Sequence, residues 1–550
     1  VTPHLEDREV ITRRALLGTT FALAGAAALA GCGSQASAAD PQVSVTGGAI
    51  RGGTAGKVRV FRGIPYAQPP TGENRFRSPR PPVPWRDTLD TRRFGSDFIQ
   101  PAGGDPVRQE DALYANVWTP TVDRAAKLPV IVYIHGGGWS RGAGSLPVYD
   151  GAALAERAGA VVVNFNYRLG AFGFCGHPAL EDPDTGLHTN WGLQDQIALL
   201  RWVSENATAF GGDPGNITLV GTSAGGASTW QLSLHPQTRP LLRRIISISQ
   251  AHVWSPYLSL TPADATAVFD ALAAAQGVSV KDLKDVPADR IRDWWVAQFA
   301  QPRSQRVVMS GRQYRGPVLD PVLLPAFDVS QPMPDIPTIS IYTSTEGSFF
   351  TGPNAPDPQP QPTDAASLRA AFRDILEQGA TPISDETVAD AVAVYTDSAK
   401  QDGRPADPLS LWTELWGDAL IRHDVLAFTR SATVERRAPL YLMEYAHPVQ
   451  PPYFGVPHES TSPFLFGTYA HPSNVAKFGD GPKERETSAA FMDVVTEFAH
   501  GRAPASPRLP QWDPVGQDLR QLVLHDGAGT ITTPAKTTQL GVLDAVQWGK

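Results

Sequence analysis

The sequence predicts an α/β protein, and three observations carry that prediction. Short β-branched runs recur along the chain: VRVFRG from Val58, LPVIVYI from Leu128, AVVVNF from Ala160 and NITLV from Asn216. Most of these runs are apolar on both faces, as strands are when helices cover both sides of their sheet. The stretches from Pro262 to Ala300 and from Thr363 to Thr396 turn helical, and in the second Leu368, Phe372, Ile375 and Leu376 fall at i, i+4, i+7 and i+8, one buried face of a helix.

Composition narrows the class further. The chain has 550 residues, 42% hydrophobic and 19% charged, the balance of a folded protein with a large core. Its 50 glycines and 50 prolines point to many loops and stop short of low complexity. The net charge is −8 and no basic run could neutralise a row of phosphates, so nucleic acid is excluded as an expected partner. Two cysteines, Cys32 and Cys175, allow one bridge at most, so stability must come from the core.

In chain order, the first element is an address. Arg13 and Arg14 precede a small and apolar run from Ala15 to Ala30 that is too short to span a bilayer and ends Leu29-Ala30-Gly31-Cys32. The paired arginines resemble a twin-arginine export signal, and the final box resembles a lipoprotein site at which Cys32 would be lipidated. Residues 1–31 are therefore expected to be a signal peptide and 32–42 a small, polar tether, with one domain over 43–550. The cell envelope, outside the cytoplasm, is the expected location. The proline run 353–362 reads as an extended surface excursion within that domain. The sequons at Asn206 and Asn216 read as chance occurrences.

The chemistry is carried by two glycine-rich turns. Gly221-Thr222-Ser223-Ala224-Gly225 follows a strand and precedes a helix-capable stretch, the setting of a nucleophile elbow in which the bend exposes the serine hydroxyl. His135-Gly136-Gly137-Gly138-Trp139 follows another strand, and its glycines could turn backbone N–H groups toward an oxyanion. A serine hydroxyl also needs a base to take its proton. From the residues alone that base and its acid stay open. Asp320, Asp335 and Glu346 compete for the acid, and His423, His447, His458 and His471 for the base.

Longer strings then carry a resemblance: FRGIPYAQPPTGENRF (Phe61 to Phe76), EDALYANVWTP (Glu110 to Pro120), NYRLGAFGF (Asn166 to Phe174), and the run from Gly192 to Gly226 that ends in GTSAGG. In this order they resemble the type B carboxylesterases, the cholinesterase-like and para-nitrobenzyl esterase-like branch of the α/β-hydrolases. The resemblance implies a large, mostly parallel sheet flanked by helices, with helical insertions around an active-site gorge. It also implies a triad of Ser223, Glu346 and His458, an oxyanion hole of Gly137, Gly138 and Ala224, no metal or cofactor, and small-molecule ester substrates.

Four departures bear on specificity. Ala112 stands where the family often has a disulfide cysteine, Thr222 where it has Glu before the nucleophile, Thr461 where an acid often follows the histidine by three, and Gln250 where it usually has Gly. The cholinesterases' cation-stacking Trp is absent too, since no Trp lies between Trp85 and Trp118. Neutral esters are therefore the expected substrates, with no selectivity for choline. Amide, lactone or carbamate hydrolysis by the same triad is the alternative. A binding role like that of the triad-less neuroligin-like relatives is disfavoured by the presence of all three residues.

Overall fold

Runs of Val, Ile and Leu that are apolar on both faces can be satisfied only inside a two-sided core, and the computed structural model places them there. It describes residues 40–101, 108–250, 260–300, 316–326, 334–352, 355, 360–379 and 383–546. The twin arginines, Cys32 and most of the proline run lie outside these residues.

The main sheet takes its strands from the whole described chain: β1 (Gly53–Ala55), β2 (Val58–Pro65), β3 (Tyr114–Thr119), β4 (Leu128–Ile134), β5 (Val161–Phe165), β6 (Gly212–Thr222), β7 (Leu242–Ile248), β8 (Thr338–Thr343), β9 (Leu440–Tyr445), β10 (Gln521–His525) and β11 (Ala528–Thr532). Their spatial order is β11-β10-β9-β8-β7-β6-β4-β5-β3-β2-β1. The stretch from β5 to β10 is parallel throughout, with antiparallel strands at both edges. This mostly parallel sheet agrees with the expected fold class. Every residue of β5, β8 and β9 is buried, because helices pack on both faces.

Two helices run beside the centre of the sheet. Helix α1 (Trp191–Asn206) leads into β6, and α2 (Ala224–Leu234) leaves from its end, so residues 221–224 form the turn between strand and helix. The region read as helical from Pro262 to Ala300 is two helices, α3 (Pro262–Gln276) and α4 (Ala288–Ala300). A Thr261 capping box starts α3 and left-handed Gly277 ends it. The second helical region likewise divides into α5 (Ala365–Gly379) and α6 (Asp385–Gln401), with Ser384 capping α6. Leu368, Phe372, Ile375 and Leu376 are all buried in one cluster, as their spacing predicts. Cys175 is a free, buried thiol. Among the described residues no helix is long and apolar enough to cross a membrane.

Candidate active site

The turn after β6 holds Ser223 at φ 61° and ψ −125°, a conformation that costs a non-glycine residue about 1–3 kcal/mol. Packing enforces it. The Ser223 N–H donates to the Ile248 carbonyl at the end of β7 (2.8 Å), and its own carbonyl accepts from Ala227 in the first turn of α2 (3.0 Å). So tight a bend leaves no room for side chains: a Cβ on Gly221 would lie 2.2 Å from the Gly225 carbonyl oxygen. This is the physical reason for small residues on both sides of the serine.

The other two groups come from the end of β8 and from the loop that follows β9. Glu346 follows β8, where its Oε1 accepts hydrogen bonds from the Thr343 N–H (2.6 Å) and the Ser249 hydroxyl (2.7 Å). Ser249 directly follows the Ile248 whose carbonyl holds Ser223, so the acid and the serine are tied to consecutive residues of one strand end. The other carboxylate oxygen, Oε2, lies 2.6 Å from Nδ1 of His458. Both partners are about 2% exposed. Burial pushes the imidazole pKa down, but the charge and hydrogen bond of Glu346, with a smaller contribution from Glu459, reverse this and leave it raised above 6.5. Among the described residues Nε2 of His458 has no hydrogen-bond partner. Phe349 and Phe350 pack against the ring at centroid distances of 5.7 and 5.4 Å.

The loop after β4 reaches the same place. A Cβ on Gly136 would meet the Thr222 carbonyl at 2.8 Å and both Ser223 Cβ and a Glu459 carboxylate oxygen at 3.0 Å, so this glycine lies between the serine and the residue next to His458. Gly137 has φ 109°, where a Cβ would be 2.2 Å from the Arg141 carbonyl oxygen. Among the described residues the N–H groups of Gly137, Gly138 and Ala224 donate to no other acceptor, which leaves them available to a developing negative oxygen. His135 supports the loop. Its ring stacks on Tyr167 (4.4 Å), its Nδ1 lies 2.8 Å from the Gly136 carbonyl oxygen, and burial lowers its pKa to about 4.

The competing candidates have other employment. Asp320 accepts from the Thr189 hydroxyl and from two backbone N–H groups of its own turn. Asp335 accepts from the backbone of Arg437 and Ala438. His423 lies between Asp424 and Asp544, His447 beside Asp526 and Glu484, and His471 beside Ser473. Of the departures, Thr222 shares a buried hydroxyl cluster with Tyr133 and Ser462, and the Gln250 side chain accepts from Ser247. Ser249, Phe349, Phe350, Glu459 and Lys477 were not singled out for the site by sequence. The Phe349-Phe350 pair next to Glu346 was the available signal for two of them; nothing local marks Ser249, Glu459 or Lys477.

Known proteins similar to this chain identify its family. The chain matches the carboxylesterase family over residues 39–541. It is 31% identical over 498 residues to the para-nitrobenzyl esterase of Bacillus subtilis (strain 168), covering 88% of this chain and 94% of that protein. It is 30% identical to the phenmedipham hydrolase of Pseudarthrobacter oxydans, covering 86% and 92%. A solved thermophilic PNB esterase superposes with a TM-score of 0.74 at 29% identity, over 91% of this chain and 99% of that one. Together with the site, these matches identify the chain as a member of the carboxylesterase family and a carboxylic ester hydrolase.

Proposed function

We propose that the protein is an exported serine carboxylesterase that hydrolyses neutral carboxylic esters through an acyl-enzyme on Ser223. The observation that carries this reading is the buried Glu346–His458 pair, 2.6 Å apart, whose imidazole keeps Nε2 without a partner among the described residues, with Glu346 bonded to Ser249, the residue after the one whose carbonyl holds the strained Ser223 turn. Ser223 attacks the ester carbonyl while His458 accepts its proton. Glu346 holds the tautomer with the proton on Nδ1 and stabilises the imidazolium. The N–H groups of Gly137, Gly138 and Ala224 take the oxyanion, each such donor lowering the barrier by about 2.7–4 kcal/mol. His458 then protonates the leaving alkoxide. Water attacks the acyl-enzyme with His458 again as base.

Among the described residues the acids nearest the serine turn make no unopposed cation site. Thr222 carries no charge, and the Glu459 carboxylate near the elbow is opposed by the Lys477 ammonium, with which it interacts. A carboxylate 4 Å from a cation would be worth up to about 4 kcal/mol at an effective dielectric constant of about 20. An unopposed site of that strength would favour choline esters a hundredfold or more, at about 1.4 kcal/mol per factor of ten. Butyrylcholine and its uncharged isostere 3,3-dimethylbutyl butyrate should therefore give kcat/KM values within a factor of about ten. A larger preference for the choline ester would contradict the neutral-substrate reading.

Export rests on Arg13, Arg14 and the Leu-Ala-Gly-Cys box ending at Cys32. Lipidation there would hold the enzyme on the outer face of the cytoplasmic membrane, since two or more chains anchor stably where one does not. Cys32→Ala should move the protein from the membrane fraction to the soluble one. Wild-type protein already free in the medium would refute the anchor.

A further inference from the structure

Glu459 brings a second carboxylate to the catalytic centre, and the hydrolytic mechanism gives it no role. It follows His458 directly, and its backbone has φ 66°, a left-handed conformation that strains a residue with a Cβ. The loop holds it there. The Glu459 carbonyl accepts from the Ser462 N–H (3.2 Å), and the Ser462 hydroxyl belongs to the cluster with Tyr133 and Thr222. A Cβ built on Gly136 would be 3.0 Å from a Glu459 carboxylate oxygen and 3.0 Å from Ser223 Cβ, so those two atoms lie within twice that distance of each other. Among the described residues the half-buried carboxylate accepts no hydrogen bond and forms no ion pair. The nearby phenols are used elsewhere, Tyr133 donating to Thr222 and Tyr167 to the His135 carbonyl. Lys477 opposes the charge without pairing with it, because its ammonium lies over the rings of Tyr453 and Phe478, 5.3 Å from each centroid.

We propose that Glu459 is a second positioning acid of the catalytic centre, whose charge at the serine turn stabilises the imidazolium that His458 becomes in each proton transfer. The proposal rests on the Ser223 reading and deepens it. Thr222 before the serine and Thr461 three residues after the histidine carry no charge, so neither can supply this field. Glu346 fixes the ring through a hydrogen bond at Nδ1, whereas Glu459 adds charge without a bond and leaves the other nitrogen free to exchange its proton. A glycine would be relaxed at this φ, and strain of that kind is retained where function requires the side chain. The surrounding groups leave the effect standing. Burial lowers the His458 pKa, and the charges of Glu346 and Glu459 both raise it. Arg422 lies within reach of the Glu346 charge, and the Arg141 side chain lies beside Gly137. His135 is kept neutral by burial, with a pKa of about 4. Burial, and after it neighbouring charge that includes Glu459, pushes the phenols of Tyr133, Tyr149 and Tyr167 up, so none of them ionises in the range where His458 titrates.

The test follows kcat/KM for a neutral 4-nitrophenyl ester, and the rate of covalent labelling by a neutral organophosphonate, across pH in the full-length wild type, Glu459→Gln and Glu459→Gly. Gln keeps the shape of the side chain and removes its charge. Gly removes both and suits the left-handed φ, so its folding should not be impaired. Both variants should lower the pH midpoint by about half to one unit, with a matching loss of about three- to tenfold in kcat/KM on the alkaline plateau. A midpoint that is unmoved or raised in either variant, whatever happens to the rate, means that Glu459 only shapes the loop and overturns the proposal. Labelling keeps that failure apart from failure of the nucleophile. If only the Glu459 assignment is wrong, the adduct stays on Ser223 in all three proteins, whereas a wild-type adduct on another residue overturns the Ser223 reading and this proposal with it.

Discussion

Asp195 and Glu346 are both buried carboxylates joined to a basic side chain, and the protein uses them in opposite ways. Asp195 takes Arg168 through Nε at 2.8 Å and Nη2 at 2.7 Å and also accepts the Arg168 backbone N–H. Two further guanidinium donors go to the carbonyls of Arg77 and Trp191. This pair closes on itself and ties the Asn166–Phe174 segment to α1. Glu346 is equally well anchored, by Thr343 and Ser249, but the histidine it holds keeps one nitrogen without a partner among the described residues. A saturated buried pair fixes a structure; a pair with one open valence can move a proton.

Substitution should separate the two roles. Glu346→Gln keeps the shape of the side chain and cannot stabilise an imidazolium, so kcat for a 4-nitrophenyl ester should fall by about 10⁴ while the denaturation midpoint changes little. A variant within tenfold of wild type would show that Glu346 is not the acid. Asp195→Ala leaves the Arg168 charge buried without a partner. Chemical denaturation should register a loss of about 3–5 kcal/mol, with kcat per folded molecule near that of the wild type. If instead stability holds and kcat collapses, the contrast between the pairs is wrong.

The smallest effect is a pH shift. The imidazole must be neutral to accept the serine proton, and the net influence of its surroundings raises its pKa above 6.5. The wild-type kcat/KM should therefore rise with pH through a midpoint above that of free imidazole side chains, about 6.5, and activity should be lost below it as His458 becomes protonated. A midpoint clearly below 6.5 would mean that desolvation outweighs Glu346.

Much of this site was legible before the fold was known. Ser223 and the His135–Gly138 loop were marked by glycines whose necessity is steric and local, and the structure brings them into contact. Glu346 and His458 were not distinguishable from Asp320 or His447 by local pattern; only the family strings singled them out. What separates them physically is tertiary. One carboxylate meets one imidazole across 112 residues of chain, while His423 and His447 meet other acids and His471 a serine. Ser249 was illegible for the same reason, since it acts on Glu346, 97 residues away. The helical regions were located, but the breaks at Gly277 and before Ser384 depend on caps that an apolar stripe does not reveal.

The central claim is that Ser223 is the nucleophile, and covalent labelling tests it most directly. Wild-type enzyme treated with an organophosphonate ester probe and digested should carry one adduct, on the peptide containing Ser223, with loss of esterase activity in proportion to labelling. Ser223→Ala, folded as judged by circular dichroism, should take up no probe. Stoichiometric labelling of that variant, or an adduct on another residue of the wild type that tracks inactivation, would contradict the account.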